Sequence, residues 1–122
     1  MKSQRLARID HEIQRILGTV ITQELKDPRL GFVTVTHVEV TDDLQHCKVF
    51  VSIIGDRHQA RQSLEALESA ARFLRGELGH KIDLRHTPQL IFVEDRSTER
   101  AIALAKTLRE DAARQSAPEV SE

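Results

Sequence analysis

Six histidines (11, 37, 46, 58, 80 and 86), one thiol at Cys47 and eighteen Lys or Arg side chains are the groups that could carry chemistry in this 122-residue chain. No pair of histidines has HxxxH or HExxH spacing, so no helix face presents two imidazoles to a metal. Cys47 shares the apolar phase of a β-rich run, where a core thiol is inert. His37 and His46 could approach each other across a hairpin, but they read as surface histidines. No glycine-rich phosphate loop is present. These residues indicate no reaction, no cofactor and no metal, and the expectation is a protein that is not an enzyme.

The cations remain, and the chemistry open to them is contact with phosphate. Arg5, Arg8 and Arg15 fall with Glu12 on one helical line. Lys26 and Arg29 flank Pro28 in LKDPRLGFV (25–33), Arg57, Arg61, Arg72 and Arg75 project at neighbouring helical angles, and Lys81 and Arg85 follow. Residues 1–30 carry six Lys or Arg against four acids, and residues 91–122 carry five against seven, so the net charge of −1 hides an uneven distribution. A local basic face, rather than the total, decides electrostatic binding. Each set can equally be a solvated surface, and a small interaction or dimerisation module is the competing function. Salt separates the two, because phosphate binding weakens steeply with ionic strength and an apolar interface does not.

Positioning these side chains requires a set of elements that the pattern supplies. Leu6, Ile9, Ile13, Ile16/Leu17, Val20/Ile21 and Leu25 recur at spacings of three and four, which predicts a helix from Arg5 to Leu25. Pro28 cannot continue it, and Gly31 can supply a positive φ before the next run. FVTVTHVEVT (32–41) and HCKVFVSII (46–54) predict a hairpin around TDDLQ, with an apolar phase slip that places a bulge near Thr36–His37. Ala60, Leu64, Leu67, Ala71, Leu74 and Leu78 predict a helical stripe from Arg57 to Leu78, ended by Gly79. TPQLIFVED (87–95) predicts a third strand, and Ser97 is placed to cap a last helix carrying Ile102, Ala105 and Leu108. The order is that of an α+β domain with helices on one face of a three-stranded sheet, over residues 1–114. The tail 115–122 (QSAPEVSE) is small, polar and acidic, and is expected to be disordered.

One thiol excludes an internal disulfide, and no apolar run approaches the ~20 residues of a membrane span, so a soluble cytoplasmic protein with no membrane partner is expected. There is no Trp or Tyr and only four Phe, a poor supply for recognition by many stacking aromatics.

KDPRLGFVTVTHVEVTDDLQHCKVFVSI (26–53), LRGELG (74–79) and TPQLIFVEDRS (87–97), in this order and at these intervals, resemble the bacterial ribosome-binding factor A family along nearly the whole chain. The resemblance implies a type II KH-like domain that binds the free 30S subunit, contacts 16S rRNA near the neck, and assists late rRNA processing and maturation, with most importance at low temperature. It implies a monomer without enzymatic activity, and leaves room for a ribosome-associated GTPase that releases it. Arg5, Arg8, Arg15, Lys26, Arg29, Arg72, Arg75, Lys81 and Arg85 are then expected to contribute to one RNA-binding surface. Gly76-Glu77-Leu78-Gly79 matches the GxxG clamp of many KH domains, but no second helix fits before Pro88 and Glu77 would sit against phosphate. The family instead kinks its helix at an Ala-x-Gly triplet. The aligned residues here are Ala70, Ala71 and Arg72, so glycine is missing and a cation stands at the junction.

Overall fold

A computed structural model describes the backbone of residues 3–116 and the side chains of residues 3–114. Helix α1 (Gln4–Gln23) begins where the Ser3 hydroxyl accepts the Leu6 N–H at 3.1 Å, and it buries Ile9, Ile13, Ile16, Leu17, Val20 and Ile21. Strands β1 (Phe32–Val40) and β2 (His46–Ile54) pair antiparallel. Helix α2 (Arg57–Ser69) starts from a reciprocal capping box of Asp56 and Gln59, and α3 (Ala71–Lys81) follows after a break at Ala70. Strand β3 (Gln89–Glu94) pairs parallel to β2, giving the order β1-β2-β3, and α4 (Ser97–Ser116) comes last. The first six elements and the break between α2 and α3 are those of the expected KH-like domain.

The core lies between one sheet face and the first three helices. Val35, Val38 and Val40 of β1 and Cys47, Val49 and Val51 of β2 meet Ile13, Leu17, Leu67, Leu74 and Leu78 there. The expected bulge is present. Val35 faces Val51 and the next rung pairs His37 with Phe50, leaving Thr36 unmatched. Its carbonyl is satisfied from α1, where Gln14 Nε2 donates to Thr36 O at 2.9 Å, and the Asp10 carboxylate accepts the Val40 N–H at 2.9 Å. Two α1 side chains thereby occupy backbone groups of the outer strand that would otherwise be open to another chain. At the hairpin, Leu44 adopts φ 61°, an unusual choice for a branched side chain, and packs against the core.

Three expectations at the element ends need correction, the first being Gly31, which does not take a positive φ. The expected kink is present: the stripe from Arg57 to Leu78 breaks into two helices where the chain turns at Ala70 (φ −92°, ψ 2°), while Leu74 N–H still bonds to Ala70 O. Those dihedrals are open to any L-residue, so the break needs no glycine, and Arg72 lies inside the first turn of α3. Gly79 does not end the helix, which runs to Lys81 and is closed by the extended residue Ile82. A Cβ at Gly79 would fall 2.8 Å from Thr87 Oγ1, so glycine there permits close approach of the segment entering β3. Finally, Ser97 is not the cap of α4, and α4 does not join the helical layer. Asp95 accepts the Ser97 N–H at 2.9 Å, and Ile102, Leu104 and Leu108 remain more than half exposed. Helix α4 also runs through Gln115 and Ser116, and the rest of the expected disordered tail lies outside the described residues.

Asp95 joins α4 to the sheet. Its N–H donates to Val51 O, and its carboxylate accepts both the Ser97 N–H and the Thr36 hydroxyl. The Ser97 backbone N–H, then the Ser97 and Thr36 side chains, hold its pKa down at about 2 against an ordinary 3.8. A folded-state pKa below the unfolded one means that Asp95 stabilises the fold above about pH 4 and loses that contribution as pH falls towards 2. Asp95→Asn is therefore expected to flatten the acid limb of a stability–pH profile between about pH 4 and 2, measured by urea unfolding. An identical acid limb in the variant would show that Asp95 does not couple to folding.

Candidate nucleic-acid interface

In the KDPRLG loop, Asp27 to Leu30 forms a β-turn closed by Leu30 N–H to Asp27 O at 2.9 Å, with Asp at its first position and Pro at its second. The Asp27 carboxylate accepts the Arg29 N–H at 2.9 Å and two guanidinium N–H groups at 3.2 and 2.8 Å. The Arg29 side chain, and then its backbone N–H, hold Asp27 below its ordinary pKa, and Asp27 raises that of Arg29 in return. Arg29 is thus a clip within the turn. Ser63 of α2, fully buried, fixes the loop from beneath by accepting the Gly31 N–H at 2.9 Å. Lys26 is exposed and has no carboxylate in ion-pair range among the described residues.

The other expected cations divide in the same way. Lys81 is held by Glu77, one helical turn earlier, at 3.0 Å, and Glu77 raises its pKa. Arg75 directs Nε and Nη2 to Thr87 O at 3.1 and 2.8 Å. A carbonyl orients a guanidinium without neutralising it, so Arg75 keeps its full charge in a fixed position. Arg5, Arg8, Arg15, Arg72 and Arg85 are exposed and unpaired among the described residues.

Three of the nine meet in one place. Arg72 and Arg75 of α3 and Arg85 of the following loop line an open cleft of about 570 Å³ with His80, His86, Thr87 and Gln89. No described carboxylate lines it. Gly76, Gly79, Ala71 and Leu90, small or apolar residues between α3 and the start of β3, complete the lining. Such a cleft favours a polyanion, since three positive charges and two imidazoles converge with no competing acid. Arg5 shares a neighbouring hollow with Arg85 and His86, but Asp43 and Asp83 line that one too. Arg8 and Arg15 lie with His11 and Glu12 in a shallow depression on α1. The structure therefore gathers Arg72, Arg75 and Arg85, ties Arg29 and Lys81 to carboxylates, and leaves Arg8, Arg15 and Lys26 apart.

The sequence pattern does not single out His80 and His86 as cleft residues, or Ser63 as the support of the loop. Ser63 has a signal, a small polar residue within the apolar stripe of α2. His86 has none, because its meeting with Arg72 depends on how the loop folds back, whereas His80 lies two helical turns from Arg72 on α3 itself. Among the described residues no group of three or more His, Cys, Asp or Glu could hold a metal ion, and no helix is long and apolar enough to cross a membrane.

A family model described as ribosome-binding factor A matches residues 5–108. Ribosome-binding factor A of Desulfitobacterium hafniense (strain DSM 10664 / DCB-2) is 47% identical over 109 residues, covering 89% of this chain and 87% of the relative. That of Natranaerobius thermophilus is 41% identical over 110 residues, covering 90% and 84%. The crystal structure of ribosome-binding factor A from Thermus thermophilus superposes with a TM-score of 0.67 at 30% identity, covering 75% of this chain and 98% of that one. A homology model of the Thermus thermophilus factor, fitted into the cryo-EM map of a 30S complex, gives a TM-score of 0.62 at 32% identity over 75% and 96% of the two chains.

Ser63→Ala removes the acceptor of the Gly31 N–H, and because Gly31 is itself exposed, so that water can replace the hydroxyl, the cost is about 0.5–1.5 kcal/mol. The variant should unfold at lower denaturant and exchange the Gly31 amide faster. Unchanged protection at Gly31 would mean that Ser63 does not hold the loop.

Proposed function

The chain belongs to the ribosome-binding factor A family, and on that premise we propose that it binds the free 30S subunit by contact with 16S rRNA and assists late maturation of that RNA, with greatest effect at low temperature. The family match over residues 5–108, together with a structural neighbour fitted into a 30S complex, carries the reading. The acid-free cleft between α3 and the start of β3 supports an RNA backbone as the ligand. Arg72 and Arg85 supply unpaired charge, and Arg75, held by Thr87 O, supplies a charge already in position. Phosphate recognition of this kind places an RNA strand without reading its sequence. The protein acts by binding, as a cytoplasmic monomer, and a ribosome-associated GTPase ends the encounter.

Two measurements test this. In sucrose gradients the protein should travel with free small subunits and be absent from joined ribosomes. Equal presence in both, or in neither, would remove the proposed role. Charge reversal at Arg72 and Arg85 should weaken subunit binding and lower the salt slope by roughly 0.7 for each phosphate of single-stranded RNA that is no longer neutralised. Because both side chains are exposed, thermal stability should change by less than about 0.5 kcal/mol. Arg75 is unsuitable for this test, since its reversal would also release Thr87 O. Unaltered binding by the folded double variant would take the cleft out of the interface.

A further inference from the structure

The three core helices cover one face of the sheet, and the opposite face carries Phe32, Thr34, His37 and Glu39 of β1 against Ile54, Ser52, Phe50 and Lys48 of β2. Phe32 and Ile54 are direct cross-strand partners and are 79% and 72% exposed. On the next rung of this face, Thr34 and Ser52 present hydroxyls. Beyond them His37 and Phe50 are stacked, with centroids 4.1 Å apart and planes within 8°. Phe50 lies four residues from Ile54, or about 13 Å along the strand. Phe32 follows directly on the KDPRLG loop, in which the closed Asp27–Leu30 turn keeps the chain between Lys26 and Phe32 short.

We propose that this free face is a second RNA contact, separate from the α3 cleft, where an unpaired base stacks on Phe32 beside Ile54 while Lys26 takes a neighbouring phosphate. The inference rests on the reading that the partner is RNA. An exposed Phe–Ile pair could also meet a protein, but the next large exposed apolar side chain of this face, Ile91, pairs with Lys48, about 20 Å along β2 from Ile54. The Phe32–Ile54 pair, bounded by the Thr34 and Ser52 hydroxyls, therefore makes too small an apolar area for a stable protein interface. A nucleobase fits better, having an apolar face and a polar edge, and the unpaired Lys26 supplies the charge complement for its backbone. Arg29, clipped to Asp27, keeps the turn in shape and leaves Lys26 as the loop's free cation.

The chain has no Trp, so Phe32→Trp installs a single fluorescent reporter at the site. Single-stranded oligoadenylate should quench its emission, and a duplex of equal length should not. Phe32→Ala should weaken oligoadenylate binding by roughly 5- to 100-fold, leave duplex binding unchanged, and melt like the parent because the ring is largely exposed. Tight oligoadenylate binding without quenching of Phe32→Trp, or with equal affinity in Phe32→Ala, would overturn the proposal and leave the cleft reading standing. If the parent protein binds subunits but no RNA, and Phe32→Ala loses subunit binding, a ribosomal protein occupies the face and the proposal falls. If the parent binds neither, both readings fall together.

Discussion

The parallel pairing of β3 with β2 is the constraint on which the rest of the molecule depends. An antiparallel partner can follow through a tight turn, as β1 and β2 do, but a parallel one requires the chain to travel back along the sheet before it pairs. Residues 55–88 make that return as α2, the break at Ala70, α3 and a short loop. β2 is therefore the middle strand, with a neighbour on each side, and its Cys47, Val49 and Val51 lose all exposure. The candidate cleft is a product of the same return, because the loop that leads into β3 must pass along α3. Gly79 lets it come close, and Arg75 fastens to it through Thr87 O.

Charge in this protein is better understood by partner than by count. A cation within reach of a carboxylate builds local structure, as Arg29 does on Asp27 and Lys81 on Glu77. One held by a carbonyl is oriented and still charged, which is the state of Arg75. One with no partner among the described residues is open to a ligand, as Arg72, Arg85 and Lys26 are. A net charge of −1 is thus compatible with a strongly cationic cleft. Acids serve as clips and caps elsewhere, including Asp27, Asp56 and Asp95, and no described acid lines that groove.

The two edges and two faces of the sheet are treated differently. Gln14 and Asp10 from α1 seal the outer side of β1 around its bulge. The core face is filled by α1, α2 and α3, and among the described residues the opposite face stays open, with Phe32 at one end and the stacked His37–Phe50 pair nearer its middle. Helix α4 is tied down at Asp95 and leaves its own apolar residues in solvent. Stability resides in the six-element unit, and these open surfaces contribute little to it.

Much of this was legible in the sequence, for a simple reason. A helix or strand with one buried face leaves its period in the order of residues, so α1, the hairpin, the slip at Thr36 and the entry to β3 could all be read from apolar spacing. The turn chemistry of KDPRLG was legible because Pro and Asp act within a few bonds of themselves. The break at Ala70 left no mark in the apolar spacing, since ordinary dihedrals produce it and the stripe continues across it, and only the family resemblance located it. The sorting of the nine cations was not legible. Whether Arg29 meets Asp27 or a ligand, whether Gly79 ends a helix or admits Thr87, and whether α4 packs or stands free are decided by atoms brought together through space. A one-dimensional pattern carries the direction a side chain faces, and only the tertiary structure carries what it meets there.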